Sequence, residues 1–171
     1  VCDGGTDCPG ALTIGPLGVA AMHRACPELL LEVHVVAEGL LALLQPLAEA
    51  GTTRLTFQWE QVAAHGSAHV DAVLARIAAL GMRVGVCVVP ATPVQQIIDL
   101  IQRHPGAVDS VNILAVNPGI GGQTFDPSVL AKVQGLRAAF SRLQLPCISV
   151  DGGINERTAQ ASPHTHTHSH T

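Results

Sequence analysis

Short apolar stretches of two periodicities alternate along the chain, and this alternation restricts its fold more than any other feature. Runs rich in Val, Ile and Leu are typical of buried strands. Between them, apolar residues recur at helical spacing, and Gly51 and Gly81 stand where helices would end. The predicted strands are residues 29–36, 54–59, 83–89, 108–116 and 147–150. The predicted helices are residues 17–25, 40–50, 68–80, 93–102 and 127–143.

This order predicts an α/β fold, a parallel sheet whose strands are joined by right-handed helical crossovers. Polar residues gather near the predicted strand ends: Glu32, His34, Gln58, Glu60, Asn117 and Asp151. A (β/α)8 barrel and a doubly wound open sheet both bind ligands at the carboxyl ends of their strands. The pattern therefore predicts where a ligand binds and leaves both architectures open.

Residues 111–125, VNILAVNPGIGGQTF, combine a strand with a glycine-rich turn and lead towards a helix. Asn117 and Pro118 break the apolar run, and Gly119, Gly121 and Gly122 leave a turn almost without side chains. Bare backbone N–H groups before a helix N-terminus suit an anion such as phosphate. The alternative is a tight turn without a ligand. The spacing matches neither the Walker nor the dinucleotide fingerprint.

Composition excludes several classes of protein. The chain has 171 residues, 47% of them hydrophobic and 13% charged, which is enough for one domain with a core. A formal net charge of −4 and 2% aromatic residues argue against nucleic acid as the main partner. Neither a membrane-spanning run nor a signal peptide is visible, and five cysteines lack metal-site spacing. We expect a cytoplasmic protein, with an organelle left open.

Two residues are candidates for chemistry. Asp151 ends a predicted buried strand and precedes two glycines, a position that suits a carboxylate for proton transfer. The alternative is an Asp that caps the following turn. His34 lies among apolar residues and becomes a reasonable metal ligand if an Asp of a nearby strand joins it. His65 and His69 have helical spacing but lack a third ligand, so we interpret them as solvated.

The chain resembles the ribulose-phosphate 3-epimerase family in six stretches that follow one another in the family's order. They are VCDGG with LTIGP, LEVHVV, PLAEAG with LTFQWE, GMRVGV, VNPGIGGQTFDPSVLAKV and VDGGIN. The resemblance implies a (β/α)8 TIM barrel of the ribulose-phosphate-binding type, incomplete at both ends, over residues 1–160. Residues 161–171, ASPHTHTHSHT, have no apolar face, and we expect a disordered His/Thr-rich tail.

The resemblance also implies an activity, the interconversion of D-ribulose 5-phosphate and D-xylulose 5-phosphate. In the family, a divalent metal (Zn²⁺, Fe²⁺, Mn²⁺ or Co²⁺) is held by two His and two Asp, and the two Asp exchange protons at C3. By position, Asp151 is a metal ligand and a proton donor, and His34 is a metal ligand. The substrate contacts fall on His34, Gly119, Ile120, Gly121, Gly122, Gly152 and Gly153.

Several positions depart from the family's pattern. The first metal His and the base Asp would precede Val1, while Glu32 replaces an Asp and Gln58 a His. Two alternatives therefore stay open: an epimerase for another ketose phosphate, and a catalytically impaired relative that only binds a phosphorylated sugar. Because an incomplete barrel exposes strand edges and apolar surface, we expect homo-oligomers or aggregation.

Overall fold

The computed structural model describes residues 14–118, 122–140, 146–160 and 166–168. The chain divides into two compact units, residues 1–86 and 87–171, and the boundary falls within a strand, β3 (Arg83–Val88). All five predicted strands occur, alternating with helices, so the α/β class is confirmed.

In the first unit, β1 (Glu32–Val35) pairs in parallel with β2 (Arg54–Gln58), and β3 follows β2 in the sheet. Val35 lies opposite Phe57, and both side chains are almost fully buried. The helices of this unit are α1 (Pro16–Ala25), α2 (Leu40–Glu49), α3 (Trp59–Ala63) and α4 (Ser67–Ala79). The sequence pattern missed α3, because a helix of 5 residues is too short to show a helical period.

In the second unit, β4 (Ser110–Leu114) pairs in parallel with β5 (Cys147–Asp151). Its helices are α5 (Val94–Arg103), α6 (Val129–Ala139) and α7 (Glu156–Gln160). The predicted helix over 127–143 is longer than α6, which ends where Phe140 turns to extended backbone. Asn155 caps α7: its Oδ1 accepts the N–H groups of Arg157 and Thr158 at 3.0 and 3.2 Å.

The predicted disordered tail contains a three-residue strand, β6 (His166–His168), paired in parallel with β5. Pairing of this kind uses main-chain N–H and C=O groups, so it needs no apolar face. His166–His168 are thus paired through the backbone, and the expectation of a disordered tail over residues 161–171 stays a prediction. Residues 161–165 and 169–171 lie outside the described residues. The domain boundary near residue 160 stays a prediction.

Candidate functional site

Asp151 is the last residue of β5 and lies opposite Leu114 of β4. Its main-chain oxygen accepts the N–H of Ala115 at 2.6 Å, so the backbone at this strand end is held in place. The side chain is half-buried. Among the residues that the structure describes, its carboxylate makes no hydrogen bond or ion pair. The role of Asp151 in chemistry and the alternative of a turn-capping Asp both stay predictions.

The turn after Asp151 strongly favours glycine. Gly152 and Gly153 have φ of 100° and 66°, in the left-handed region. A Cβ at Gly153 would lie 2.5 Å from the backbone nitrogen of Phe125, and one at Gly152 would lie 2.4 Å from Cγ2 of Val116. The two glycines therefore let the ends of β4 and β5 and the loop before α6 approach one another closely.

The glycine-rich loop after β4 is described in part. Gly122 has φ of 76°, and no described atom lies within 4 Å of the position of its missing Cβ. Farther along, the N–H of Asp126 donates to the main-chain oxygen of Ala115 at 2.9 Å. This bond fixes the returning loop against the end of β4. The predicted phosphate contacts Gly119, Ile120 and Gly121 lie outside the described residues.

The N-terminus of α6 already carries a negative side chain. Oδ1 of Asp126 accepts the N–H of Ser128 at 2.9 Å. Hydrogen bonds from the side chain and then the backbone of Ser128 lower the pKa of Asp126, burial opposes them, and the charge of Lys132 lowers it further. The Ser128 N–H is thus engaged, so a bound phosphate would depend on the glycine loops and not on this N–H.

We expect acid to weaken the start of α6 through Asp126. Because its pKa is lower in the folded protein than in the unfolded chain, its contribution is complete above the unfolded value and is lost as pH falls through the folded value. Ser128→Ala removes the leading hydrogen bond and raises the pKa of Asp126 towards its ordinary value. A carboxyl ¹³C NMR titration measures both midpoints; equal midpoints would contradict this account.

In the first unit, His34 lies in the middle region of β1, opposite Thr56 of β2. Its ring is half-buried, and Nε2 lies 3.1 Å from Oε1 of Gln58. Gln58, the last residue of β2, is 1% exposed, and its Nε2 donates to Oε2 of Glu60 at 2.5 Å. These three side chains form the Glu60–Gln58–His34 relay. The polar strand-end pattern had singled out each residue, but only the strand register brings them together.

Glu32 lies at the opposite end of its strand from the predicted ligand edge. It is the first residue of β1, opposite Arg54, the first residue of β2. Its carboxylate accepts hydrogen bonds from Arg54 at 3.0 Å and Thr56 at 2.7 Å, and its side chain is 43% exposed. Its placement among strand-end ligand residues is therefore wrong, because parallel strands carry their first residues to the other edge of the sheet. This carboxylate joins two strands.

A groove of about 490 Å³ opens after the ends of β1 and β2 in the first unit. Glu38, Glu60, His65 and His69 are among its lining residues. The two histidine rings lie with their centroids 4.9 Å apart; His65 is exposed, as the sequence predicted, whereas His69 is half-buried. Both imidazoles thus border the groove.

A polar cluster that sequence reasoning missed lies on the strands of the second unit. Oγ of Ser149 donates to Oδ1 of Asn112 at 2.9 Å, and Nδ2 of Asn112 contacts Sγ of Cys87 at 3.5 Å. Ser149 is two residues before Asp151, so both side chains share one face of β5. Asn112 and Ser149 were recognisable as polar residues in apolar runs, but their contact required the register of β4 and β5.

The donor chemistry of two residues suits a divalent metal: His34 offers a ring nitrogen and Asp151 carboxylate oxygens. Within the described ranges, however, no group of three or more His, Cys, Asp and Glu side chains could hold a metal ion. His34 and Asp151 would therefore supply part of the ligand set of a metal ion. The part of the chain that the structure describes does not supply a whole site, and no reaction step is derived through an ion.

Comparison with known proteins identifies the family of this chain. The model of the Ribulose-phosphate 3 epimerase family matches residues 9–166. Ribulose-phosphate 3-epimerases of Schizosaccharomyces pombe and Rhodospirillum rubrum are 33% and 36% identical over 88% of this chain and 62% of each relative. The cytoplasmic isoform of Oryza sativa is 32% identical over 86% of this chain and 60% of that relative. The chain spans about three fifths of the length of the curated relatives it matches.

A solved structure shares the fold. The 3-keto-L-gulonate-6-phosphate decarboxylase of Vibrio cholerae aligns with a TM-score of 0.64 and 16% identity, over 91% of this chain and 69% of that chain. At this identity the likeness shows the fold alone, a TIM barrel, and the family match gives the ribulose-phosphate-binding type. No helix among the described residues combines the length and apolar character that crossing a bilayer requires.

Proposed function

Because the chain belongs to the ribulose-phosphate 3-epimerase family, we propose that the protein interconverts D-ribulose 5-phosphate and D-xylulose 5-phosphate. The observation that carries the proposal is the position of Asp151. This half-buried carboxylate ends β5 directly before Gly152 and Gly153, and among the described residues it has no structural partner. It is therefore available to move a proton of the substrate.

The proposed reaction is a proton exchange with inversion at C3. A carboxylate beside the carbon removes or returns one proton, which contributes about 10²–10⁴-fold to such reactions. Inversion also requires a second group on the opposite face of C3. We assign Asp151 to one of these two faces.

The proposed phosphate site uses backbone N–H groups of the two glycine turns. Gly119, Ile120, Gly121 and Gly122 follow β4, and Gly152 and Gly153 follow β5. Successive N–H groups in such turns form concave anion sites. Gly122 and Gly153 both have left-handed backbone, which supports this part of the proposal.

We further propose a divalent cofactor, Zn²⁺, Fe²⁺, Mn²⁺ or Co²⁺, for which His34 and Asp151 each supply a ligand. When bound, such an ion stabilises negative charge on the substrate oxygens. A cytoplasmic location and a homo-oligomeric state complete the proposal.

The test is deuterium incorporation at C3 of ribulose 5-phosphate in D₂O, with the full chain and each of the four metal ions. We expect exchange together with formation of xylulose 5-phosphate, both followed by NMR. Exchange without xylulose 5-phosphate would limit the activity to one face of C3. If a folded sample shows neither exchange nor product, the chain is not an epimerase by itself; binding of the sugar phosphate would then favour the binding-only alternative.

A further inference from the structure

We propose that Glu60 and Gln58 are positioning residues that fix the tautomer of His34, with the proton on Nε2 and the lone pair on Nδ1. The Glu60–Gln58–His34 relay supports this assignment. What the Nδ1 lone pair is used for rests on the function proposed above. The tautomer itself follows from the hydrogen bonds.

Glu60 sets the direction of the hydrogen bonds in the relay. A carboxylate can only accept hydrogen bonds, so the Gln58 side chain must present its amide nitrogen to Glu60. The amide oxygen of Gln58 then faces the other way, 3.1 Å from Nε2 of His34. An amide oxygen also only accepts, so Nε2 of His34 must carry a proton. In the neutral ring this leaves Nδ1 without one.

The burial of Gln58 stabilises this arrangement of hydrogen bonds. Gln58 is 1% exposed, so water cannot easily replace either of its contacts. If the amide turned over, its oxygen would face the carboxylate of Glu60, and two acceptors would lose their donor. The register of β1 and β2 holds the partners in place, because His34 lies opposite Thr56 and Gln58 follows on the same strand face.

The tautomer decides which ring nitrogen can act as a base or ligand. In histidines that bind metals, the hydrogen bond at one nitrogen selects the other as the ligand. The relay would therefore direct Nδ1 of His34 to that role. Gln58 stands where the resembled family usually has a His, so this assignment belongs to this chain in particular.

The experiment is long-range ¹H–¹⁵N NMR of the full chain with ¹⁵N-labelled histidine, which distinguishes the two neutral tautomers. Spectra are recorded about two pH units above the ordinary histidine pKa of about 6.5. His34→Ala identifies the His34 signals among those of 9 histidines. We expect the Nε2–H form to exceed the Nδ1–H form by at least about tenfold, as one buried hydrogen bond can achieve.

The deciding variant is Glu60→Gln, whose amide can donate as well as accept. Gln58 is then able to turn over and donate to His34, so we expect the tautomer ratio to fall by about threefold or more. Glu49→Gln is the matched control. Glu49 also accepts a hydrogen bond from a glutamine, Gln45, at 2.7 Å, but lies exposed at the end of α2. This control should leave the ratio unchanged.

Two results would overturn the inference. One is an Nδ1–H tautomer in the unmodified protein, and the other is an equal ratio in the Glu60→Gln and Glu49→Gln variants. If Glu60→Gln does not fold, Gln58→Met removes the same acceptor and should also lower the ratio. The readout is independent of catalysis. If the tautomer responds as expected but the protein shows no exchange at C3, only the proposed function is contradicted.

Discussion

We expect Asp151→Asn to lower the proposed deuterium incorporation at C3 of ribulose 5-phosphate by about 10²–10⁴-fold. The amide keeps the shape of the carboxylate but can neither accept the proton nor return it. Because the Asp151 carboxylate makes no hydrogen bond or ion pair with another described side chain, the substitution should not destabilise the fold. We expect the thermal unfolding curve of the variant to stay close to that of the parent protein.

The matched control for this prediction is Asp99→Asn. Asp99 is an exposed carboxylate on α5 that accepts a hydrogen bond from Gln95, so the same chemical change is made away from the strand ends. It should leave the exchange rate unchanged. An Asp151→Asn protein that exchanges C3 at the parent rate would show that another group moves the proton. An equal loss in both variants would point to a general effect of the lost charge.

We expect Gly153→Ala to lower the free energy of unfolding by about 2–4 kcal/mol. About 1–2 kcal/mol comes from placing an L-residue at φ of 66°. The remainder arises because the new Cβ meets the Phe125 backbone nitrogen at 2.5 Å, and a backbone atom cannot move away as a side chain can. Urea unfolding, with the slope checked for constancy, measures the change.

Gly122→Ala separates the two contributions. Gly122 has φ of 76°, but a methyl group added there would meet no described atom within 4 Å, so we expect only the left-handed backbone cost of about 1–2 kcal/mol. The difference between the variants then measures the close approach of the Gly153 turn to the loop before α6. If both variants lose equal stability, that approach does not contribute.

The sequence pattern predicted the helices and strands well because each depends on local periodicity. β2 and α2 begin where predicted, and Gly51 and Gly81 take the left-handed conformation expected after helices. The miss has a local cause too, because the helix α3 is a single short turn.

The candidate site was predictable residue by residue but not as a set of contacts. Asp151 was identified from a strand end followed by two glycines, and its position at the end of β5 agrees. Glu32 was misplaced, because the pattern predicted a strand that begins three residues before the observed β1 and so could not say which end held the carboxylate. The roles of His34, Asp151 and the glycines stay predictions.

The sequence by itself determined the α/β class, the order of the elements, the family and the glycines that the turn after β5 requires. These depend on residue type and on spacing along the chain. Only the tertiary structure decided that Gln58 links Glu60 to His34, that Asn112 meets Ser149, and that Phe125 packs against Gly153. Such contacts join residues far apart in the chain, and strand register and loop path set them, neither of which has a local signal.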